Sequence, residues 1–210
     1  MSTTGKIFDA TYIKLVLLDL LLKEGECRLI VNELPFLKED RWADLFCIKG
    51  NDLIAYEIKS ELDTVKTLNS QISDYQKIFN KVYAVISEKF VNTRNVKELS
   101  KYVGIIVVKS DGILKCKRNA THRTRFQKKD MVSLLWKKDL EMISRQNGTR
   151  ETLERYIVEH VSRNTIHEKT IDALLRRYGD SYALFSRDCR DYATIDDLKT
   201  ITGLKGKHYL

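Results

Sequence analysis

The apolar positions of the first forty residues predict a helix followed by a strand. From about residue 10 to Glu24 they cover more than one face, which indicates a largely buried helix, and Asp9 or Thr11 can cap its start. Gly25 suits the end of that helix. The β-branched and apolar run 28–36 predicts a strand that ends at Pro35, the only proline of the chain.

Two further apolar runs, 42–48 and 53–58, flank the tetrapeptide Lys-Gly-Asn-Asp. Gly-Asn between two such runs is typical of a hairpin, so we expect an antiparallel pair. Residues 65–80 follow with an amphipathic stripe, which predicts a helix capped by Asp63 or Thr64.

Short continuous apolar runs at 82–87 and 103–108 predict strands that are covered on both faces. A short helix is expected at 95–102 between them, and 113–117 is expected to add an edge strand. Helix, three strands, helix, strand, helix and strand together predict an α/β fold, with a mixed β-sheet flanked by helices.

The pattern becomes helical after the last strand, with helices expected at 131–145, 150–162, 167–178 and 195–200 and breaks at Gly148 and Gly179. We therefore predict a core at 1–118 and a basic linker with an α-helical C-terminal region at 119–210.

Composition excludes several classes of protein. The longest apolar run, 15–22, contains Asp19 and is too short to cross a bilayer, so no membrane partner is expected. The four cysteines are scattered without a CxxC pair, and the four histidines lack metal-ligand spacing. This favours a cytoplasmic protein with reduced thiols and no structural zinc.

The net charge of +8 is concentrated in residues 115–129, which hold seven Lys/Arg and no acid. Such a cluster is typical of phosphate contacts, although a solvated loop explains it equally well. The nucleic-acid-binding candidates here are Lys117, Arg118, Arg123 and Arg125.

Candidate chemistry lies on the predicted hairpin. Glu57 and Lys59 are two residues apart and share one strand face, and the hairpin brings Asp44 near them. Two convergent carboxylates suit Mg²⁺ or Mn²⁺, and a lysine beside them can orient a phosphate. The alternative is an ordinary surface pair, but these charges interrupt apolar runs and need a reason to be tolerated there.

Asp44, Glu57 and Lys59, followed by Gln71 and Tyr75 on the next helix, resemble the active-site signature of the PD-(D/E)XK nuclease superfamily. The Gln-x-x-x-Tyr spacing is similar to that of its RecB and lambda-exonuclease branch. The resemblance covers about residues 10–110 and implies a restriction-endonuclease-like fold. Ala43 replaces the proline of the family's name.

The resemblance also implies roles for these residues. Asp44 and Glu57 match the metal-binding acids, Lys59 matches the catalytic lysine, and the carbonyl of Ile58 completes the coordination. A further upstream acid is common in the family. Glu33 is the best candidate here, with Glu24 and Glu26 as alternatives. Tyr75 also fits a core position, whereas Gln71 is harder to explain by packing.

The expected function is a metal-dependent nuclease that hydrolyses phosphodiester bonds, with DNA the favoured substrate. Arg41 either touches phosphate or pairs with an acid. A homodimer is possible, because many nucleases of this fold pair to cut both strands. The alternatives are a non-catalytic nucleic-acid-binding or inhibitory module on a nuclease-like scaffold, and a structural adaptor that uses the C-terminal helices.

Overall fold

A six-stranded mixed sheet with helices on both faces forms the centre of the protein, as the sequence predicts at this coarser level. The computed structural model describes residues 7–37, 40–189 and 192–203. The strands lie in chain order, with β2 and β6 antiparallel to their neighbours and β3, β4 and β5 mutually parallel. They are β1 (Cys27–Phe36), β2 (Arg41–Lys49), β3 (Asp52–Lys59), β4 (Lys81–Ser87), β5 (Gly104–Val108) and β6 (Leu114–Arg118).

The helices occupy the connections and the C-terminal part. They are α1 (Ala10–Glu24), α2 (Leu68–Tyr75), α3 (Arg94–Lys97), α4 (Lys128–Val132), α5 (Lys137–Ser144), α6 (Arg150–His160), α7 (Arg163–Asp188) and α8 (Ile195–Thr200), with a 3₁₀ turn at Glu88–Phe90. None of the helices in the described ranges has the length and apolar character needed to cross a membrane.

The first helix and the hairpin confirm the predictions made for them. The Asp9 carboxylate accepts a hydrogen bond from the Tyr12 amide, and Gly25 ends α1 in the left-handed conformation. The hairpin turn has Gly50 at a φ of 56°, which lets β2 and β3 pair with Leu45 opposite Tyr56. The edge strand β6 and helix α8 also lie where they are expected.

Apolar side chains on the two sheet faces form two clusters. One face packs against α2 and the helices of the α4–α7 region, and the other packs against α1 and α8. Helix α7 contributes to both, with Leu174 in the first cluster and Phe185 in the second. The C-terminal helices therefore complete the core of the sheet. The domain boundary at 118 stays a prediction from the change in the sequence pattern.

The prediction of one helix over 65–80 is wrong. Helix α2 spans only Leu68–Tyr75, and Asp63 caps no helix because its carboxylate accepts from the amide and hydroxyl of Ser60. After Tyr75, tight turns return the chain to the sheet, where the Asn80 side chain accepts from the Leu53 amide at 2.8 Å. This buried hydrogen bond fixes residue 80 in a position that a continued helix does not reach.

Predictions for three other helices are also wrong in extent. The helix expected at 95–102 is the single turn α3, and the one expected at 131–145 is divided into α4 and α5, because Trp136 is extended and its amide donates to Asp139. Helix α7 starts before residue 167 and continues through Gly179. A helical glycine costs about 1 kcal/mol, which the buried stripe of Leu174, Tyr178 and Phe185 outweighs.

The outer edge of β1 is covered by a segment from the far end of the chain. The Asn32 amide donates to the Ile201 carbonyl at 2.9 Å, and the Gly203 amide donates back to Asn32. Asn32 is buried, and its side-chain amide donates to the Leu198 carbonyl at 3.2 Å. Helix α8 and the residues after it are thereby attached beside β1.

Candidate functional site: a fork between two strands

Strands β2 and β3 separate at one end of the hairpin. Their pairing ends at Leu45 and Tyr56. Beyond this point β2 stays paired with β1, through Ala43 and Leu34, while β3 stays paired with β4, through Lys59 and Ile86. We call the opening between residues 42–44 and residues 57–59 the strand fork.

The fork brings the Asp44 carboxylate between the two separated strands. Continued by one position, the register of the hairpin sets Asp44 opposite Glu57, as the sequence predicts. The Ile58 amide, which lies beyond the last backbone pair of β2 and β3, donates to Asp44 Oδ2 at 2.7 Å. The Asp44 side chain thus accepts a hydrogen bond where the backbone of β2 no longer pairs with β3, and this hydrogen bond fixes the orientation of the carboxylate.

A local irregularity in β1 and β2 accompanies the fork. In β2, Phe46 faces the α2 side of the sheet and Leu45 faces the α1 side, yet Ala43 faces the α2 side again. The alternation is therefore interrupted at Asp44. The register sets Glu33 opposite it, between the pairs Asn32–Leu45 and Leu34–Ala43, and Glu33 has a φ of 57°. Non-glycine residues rarely adopt this conformation, and such strain often occurs at functional sites.

Glu57 is the most deeply buried acid of the fork, with 3 % of its side chain exposed. Lys59 Nζ lies 2.8 Å from Glu57 Oε1, and the Tyr75 hydroxyl lies 2.5 Å from Glu57 Oε2. The same hydroxyl lies 2.7 Å from the Trp42 carbonyl oxygen, so its one hydrogen serves two acceptors. Burial and the Glu57 charge hold the pKa of Tyr75 well above its usual range.

Asp44 has an unusual protonation equilibrium. Burial and the neighbouring charge of Glu57 raise its pKa from 3.8 to about 7, against the opposing effects of the Ile58 amide and of the Lys14 and Lys59 charges. The ionised form of Asp44 is thus disfavoured in the fork, first by burial and then by the charge of Glu57.

Lys14 is a member of the site that sequence reasoning missed. It lies on α1 with only 10 % of its side chain exposed, and its ammonium group is 3.0 Å from Glu33 Oε1. Its charge also lowers the pKa of Asp44. The only signal in the sequence was a lysine inside an otherwise apolar helical stretch, where a charge needs a partner.

Gln71 and Tyr75, which lie on the same helix, have different contacts. The Tyr75 ring packs edge-on against Phe36 at 5.0 Å, as expected of a core position, and its hydroxyl also reaches Glu57. The Gln71 Oε1 atom instead accepts a hydrogen bond from the hydroxyl of Thr67 at 3.0 Å, at the start of the same helix.

Several basic candidates form contacts within the protein. Arg41 pairs with Asp74 at 2.9 Å, which is one of the two alternatives predicted for it. Arg118 donates to the carbonyls of Val103 and Ser100, and the Arg123 guanidinium donates to that of Gln76.

The other two basic candidates, Lys117 and Arg125, are exposed. Lys117 lies on β6, three strands from β3, which is about 14 Å across the sheet. The backbone of Lys117 therefore lies well away from the fork.

The carboxylates of the fork are the candidate metal ligands. Within residues 7–37, 40–189 and 192–203, no group of three or more His, Cys, Asp or Glu side chains lies close enough together to hold a metal ion. Asp44 and Glu57 face each other, whereas Glu33 pairs with Lys14, and the alternatives Glu24 and Glu26 pair with Lys49 at the other end of the hairpin.

The protein is thus a mixed α/β protein with a buried cluster of acids and lysines at a strand fork. It belongs to the family described as Bacteriophage P4 protein cII, whose model matches residues 6–202. Protein cII of Enterobacteria phage P4 is 29 % identical to it over 178 residues, which is 79 % of this chain and 66 % of that protein. The chain therefore spans just under two thirds of the length of this relative.

A solved protein of unknown function from Silicibacter pomeroyi aligns with 85 % of this chain and 94 % of its own, with a TM-score of 0.39 and 12 % identity.

Proposed function

We propose that the chain is a metal-dependent nuclease of the restriction-endonuclease-like class, with the strand fork as its active site. The observation that carries this proposal is the convergence of Asp44, Glu57 and Lys59 at the point where β2 and β3 separate. The mixed sheet, with an antiparallel hairpin followed by parallel strands and helices on both faces, supports the same assignment.

The donor set suits a hard divalent cation. Carboxylate oxygens are the ligands that Mg²⁺ and Mn²⁺ prefer, and a bound cation would offset the repulsion from Glu57 that, after burial, contributes to the raised pKa of Asp44. Asp44 and Glu57 would hold the ion, with the Ile58 carbonyl and Glu33 as the proposed further ligands. A bound cation would supply Lewis-acid stabilisation of the charge that develops on a phosphodiester.

The chain's own residues would prepare the fork for this reaction. The Lys59 ammonium, held by Glu57, would place a compact positive charge beside the phosphate. The Tyr75 hydroxyl fixes one oxygen of Glu57, and the Ile58 amide fixes one oxygen of Asp44. Both carboxylates are therefore oriented before any ligand arrives, which is the kind of preorganisation that catalysis needs.

A cleavage assay tests the proposal. Purified wild type, Asp44→Asn and Lys59→Met are incubated with single-stranded and duplex DNA in Mg²⁺, and a sample with EDTA defines the background. We expect each substitution to lower the Mg²⁺-dependent rate by at least about 100-fold, as the loss of a catalytic charge typically does. The control is Asp52→Asn, at the opposite end of β3, where Asp52 pairs with Lys81.

The outcome separates the proposal from contamination. Activity confined to wild type and Asp52→Asn supports a nuclease, whereas equal cleavage by all four proteins identifies a contaminant.

A non-catalytic nucleic-acid-binding module is the second candidate, and one observation favours it. Both oxygens of Glu57 are already engaged, by Lys59 and Tyr75, and the side chain is almost fully enclosed. A module of this kind would bind DNA in EDTA and retain that binding in Asp44→Asn, without cleavage by any of the four proteins.

A further inference from the structure

Two of the cysteines lie next to each other on the α1 side of the sheet. Cys47 of β2 is fully buried in the cluster that α1 and α8 cover, and the half-buried Cys27, the first residue of β1, packs against the same cluster. Neither is in a disulfide, and the Cys47 thiol donates a hydrogen bond to the Cys27 sulfur. The two sulfur atoms are therefore already in contact, towards the end of the β1–β2 pair that is opposite to the fork.

A β-bulge brings Cys27 to this side of the sheet. Between Cys27 and Leu29 the register with β2 shifts by one, so Arg28 is an extra residue on β1. Leu29 packs on the α2 side of the sheet, and in a regular strand the side chain two positions away would face that side too. The bulge reverses this orientation and turns Cys27 towards Cys47. The contact between the two thiols thus follows from the course of the backbone.

The two thiols differ in reactivity. The hydrogen bond from Cys47 lowers the pKa of Cys27, and the charge of Lys49 acts in the same direction. Burial and the charges of Glu24 and Glu26 oppose this decrease but are outweighed. The same hydrogen bond, together with burial, raises the pKa of Cys47 well above its usual range. Since the thiolate is the nucleophile, Cys27 is the thiol that reacts first with an electrophile from solvent, and Cys47 is the buried thiol that lies next to the product.

We propose that Cys27 and Cys47 form an oxidation site for hydroperoxides, which convert the two thiols to a disulfide between β1 and β2. The Cys27 thiolate attacks one oxygen of the hydroperoxide, so that a sulfur–oxygen bond forms and the oxygen–oxygen bond breaks. The departing oxygen takes up the proton that the Cys27 thiol released. The Cys47 sulfur then attacks Cys27 Sγ, the sulfur–sulfur bond forms, and the hydroxyl group leaves as water with the Cys47 proton. The two thiols lose two electrons and two protons, which the hydroperoxide gains.

The disulfide closes a loop of about 20 residues between the two strands. A cross-link of this kind restricts the unfolded chain and so stabilises the pair of strands that carries Glu33 and Asp44. A dithiol reductant reverses the reaction by attack on the same sulfur–sulfur bond. The oxidation site is independent of the nuclease assignment, because none of the proposed catalytic residues takes part in the reaction.

A count of thiols after treatment with hydrogen peroxide tests the proposal. Cys116→Ser serves as the background protein, because it removes an exposed thiol and leaves Cys27, Cys47 and Cys189. The folded protein is treated with peroxide and then unfolded in urea that contains a maleimide, and the intact mass gives the number of thiols. We expect this number to fall from three to one, and dithiothreitol should restore all three. Peptide mapping should show one linked pair of peptides, which contains Cys27 and Cys47.

Cys47→Ser and Cys27→Ser in the same background are the matched controls. In Cys47→Ser the oxidised Cys27 lacks its partner, so it should stop at the sulfenic acid and react with dimedone. Cys27→Ser, at a half-buried position where serine is better tolerated, should keep both of its thiols at the same peroxide dose.

Urea unfolding gives a second measurement. The midpoint of the background protein should rise on oxidation and return on reduction, whereas that of Cys27→Ser should not change. A thiol count that stays at three in the background protein overturns the proposal. So does a linked pair that includes Cys189 or joins two chains, or a Cys27→Ser variant that loses its thiols as fast as the background protein.

Discussion

Replacing Asp44 by asparagine should stabilise the fold at alkaline pH, because it removes a negative charge whose burial in the fork is unfavourable. Burial and Glu57 raise the pKa of Asp44 from 3.8 to about 7. A shift of about 3 units at about 1.36 kcal/mol per unit corresponds to about 4 kcal/mol against the ionised form. Since the side chain is partly exposed to water, we expect about 2 to 4 kcal/mol at pH 8. The amide oxygen of the new asparagine can still accept from the Ile58 amide, so the hydrogen bond survives.

The direction in which stability changes with pH follows from proton binding. Between about pH 4 and pH 7 the folded protein keeps a proton on Asp44 that the unfolded chain has released, so the free energy of unfolding falls as pH rises through this window. The gain from Asp44→Asn should therefore be about 2 to 3 kcal/mol larger at pH 8 than at pH 5. Urea unfolding of both proteins at the two pH values measures this difference.

Two additions sharpen the experiment. Asp52→Asn, which removes the ion pair to Lys81, should show no such stabilisation at pH 8. Millimolar Mg²⁺ at pH 8 should raise the unfolding midpoint of wild type but not of Asp44→Asn, because a ligand that binds only the folded state stabilises it. A gain in Asp44→Asn that is equal at pH 5 and pH 8, or absent at both, would refute the electrostatic account of the fork.

Three further substitutions, the first with Tyr182→Phe as its matched control, have definite outcomes in urea unfolding. Tyr75→Phe should lower the free energy of unfolding by about 1.5 to 3 kcal/mol, because it deprives the buried Glu57 carboxylate of a donor. In the control Tyr182→Phe, the lost hydroxyl donates to the neutral Cys27 carbonyl, so the loss should be about 1 kcal/mol. Equal losses in the two variants would contradict the contact assigned to Tyr75. Gly104→Ala should destabilise by about 1 to 3 kcal/mol, since its new methyl group would overlap the Tyr83 ring and lie 2.8 Å from the Ala120 nitrogen. Gly179→Ala, in open space on a helix, should stabilise by about 0.5 to 1 kcal/mol, and a loss there would show that α7 needs the glycine.

The convergence of Asp44 and Glu57 was predictable because a short turn between two apolar runs fixes the register of the hairpin. The mixed sheet was predictable from the order of the strand and helix patterns along the chain. The limits of α2 were not predictable, because residue 80 is held at the sheet by a hydrogen bond from the amide of Leu53, which is distant in sequence, to the Asn80 side chain.

The remainder of the fork depends on features that leave little trace in a single sequence. Helix α1 is apolar on more than one face, so the pattern does not reveal that Lys14 points towards Glu33. Glu33 adopts the left-handed conformation, which nothing in its residue type indicates. In the same way, Arg118 and Arg123 belong to a basic segment, but their guanidinium groups are used to hold nearby carbonyls.

The attachment of Ile201 and Gly203 to Asn32 has a consequence for the order in which the protein is made. About 170 residues separate the two partners, which at translation rates of about 5 to 20 residues per second corresponds to roughly 10 to 30 s of synthesis. During that interval the outer edge of β1 has already emerged and lacks its cover, which makes it open to pairing with another strand. The neighbouring fork acid Glu33 lies on the same edge, so this side of the fork can be completed only after residues 201–203 have been synthesised.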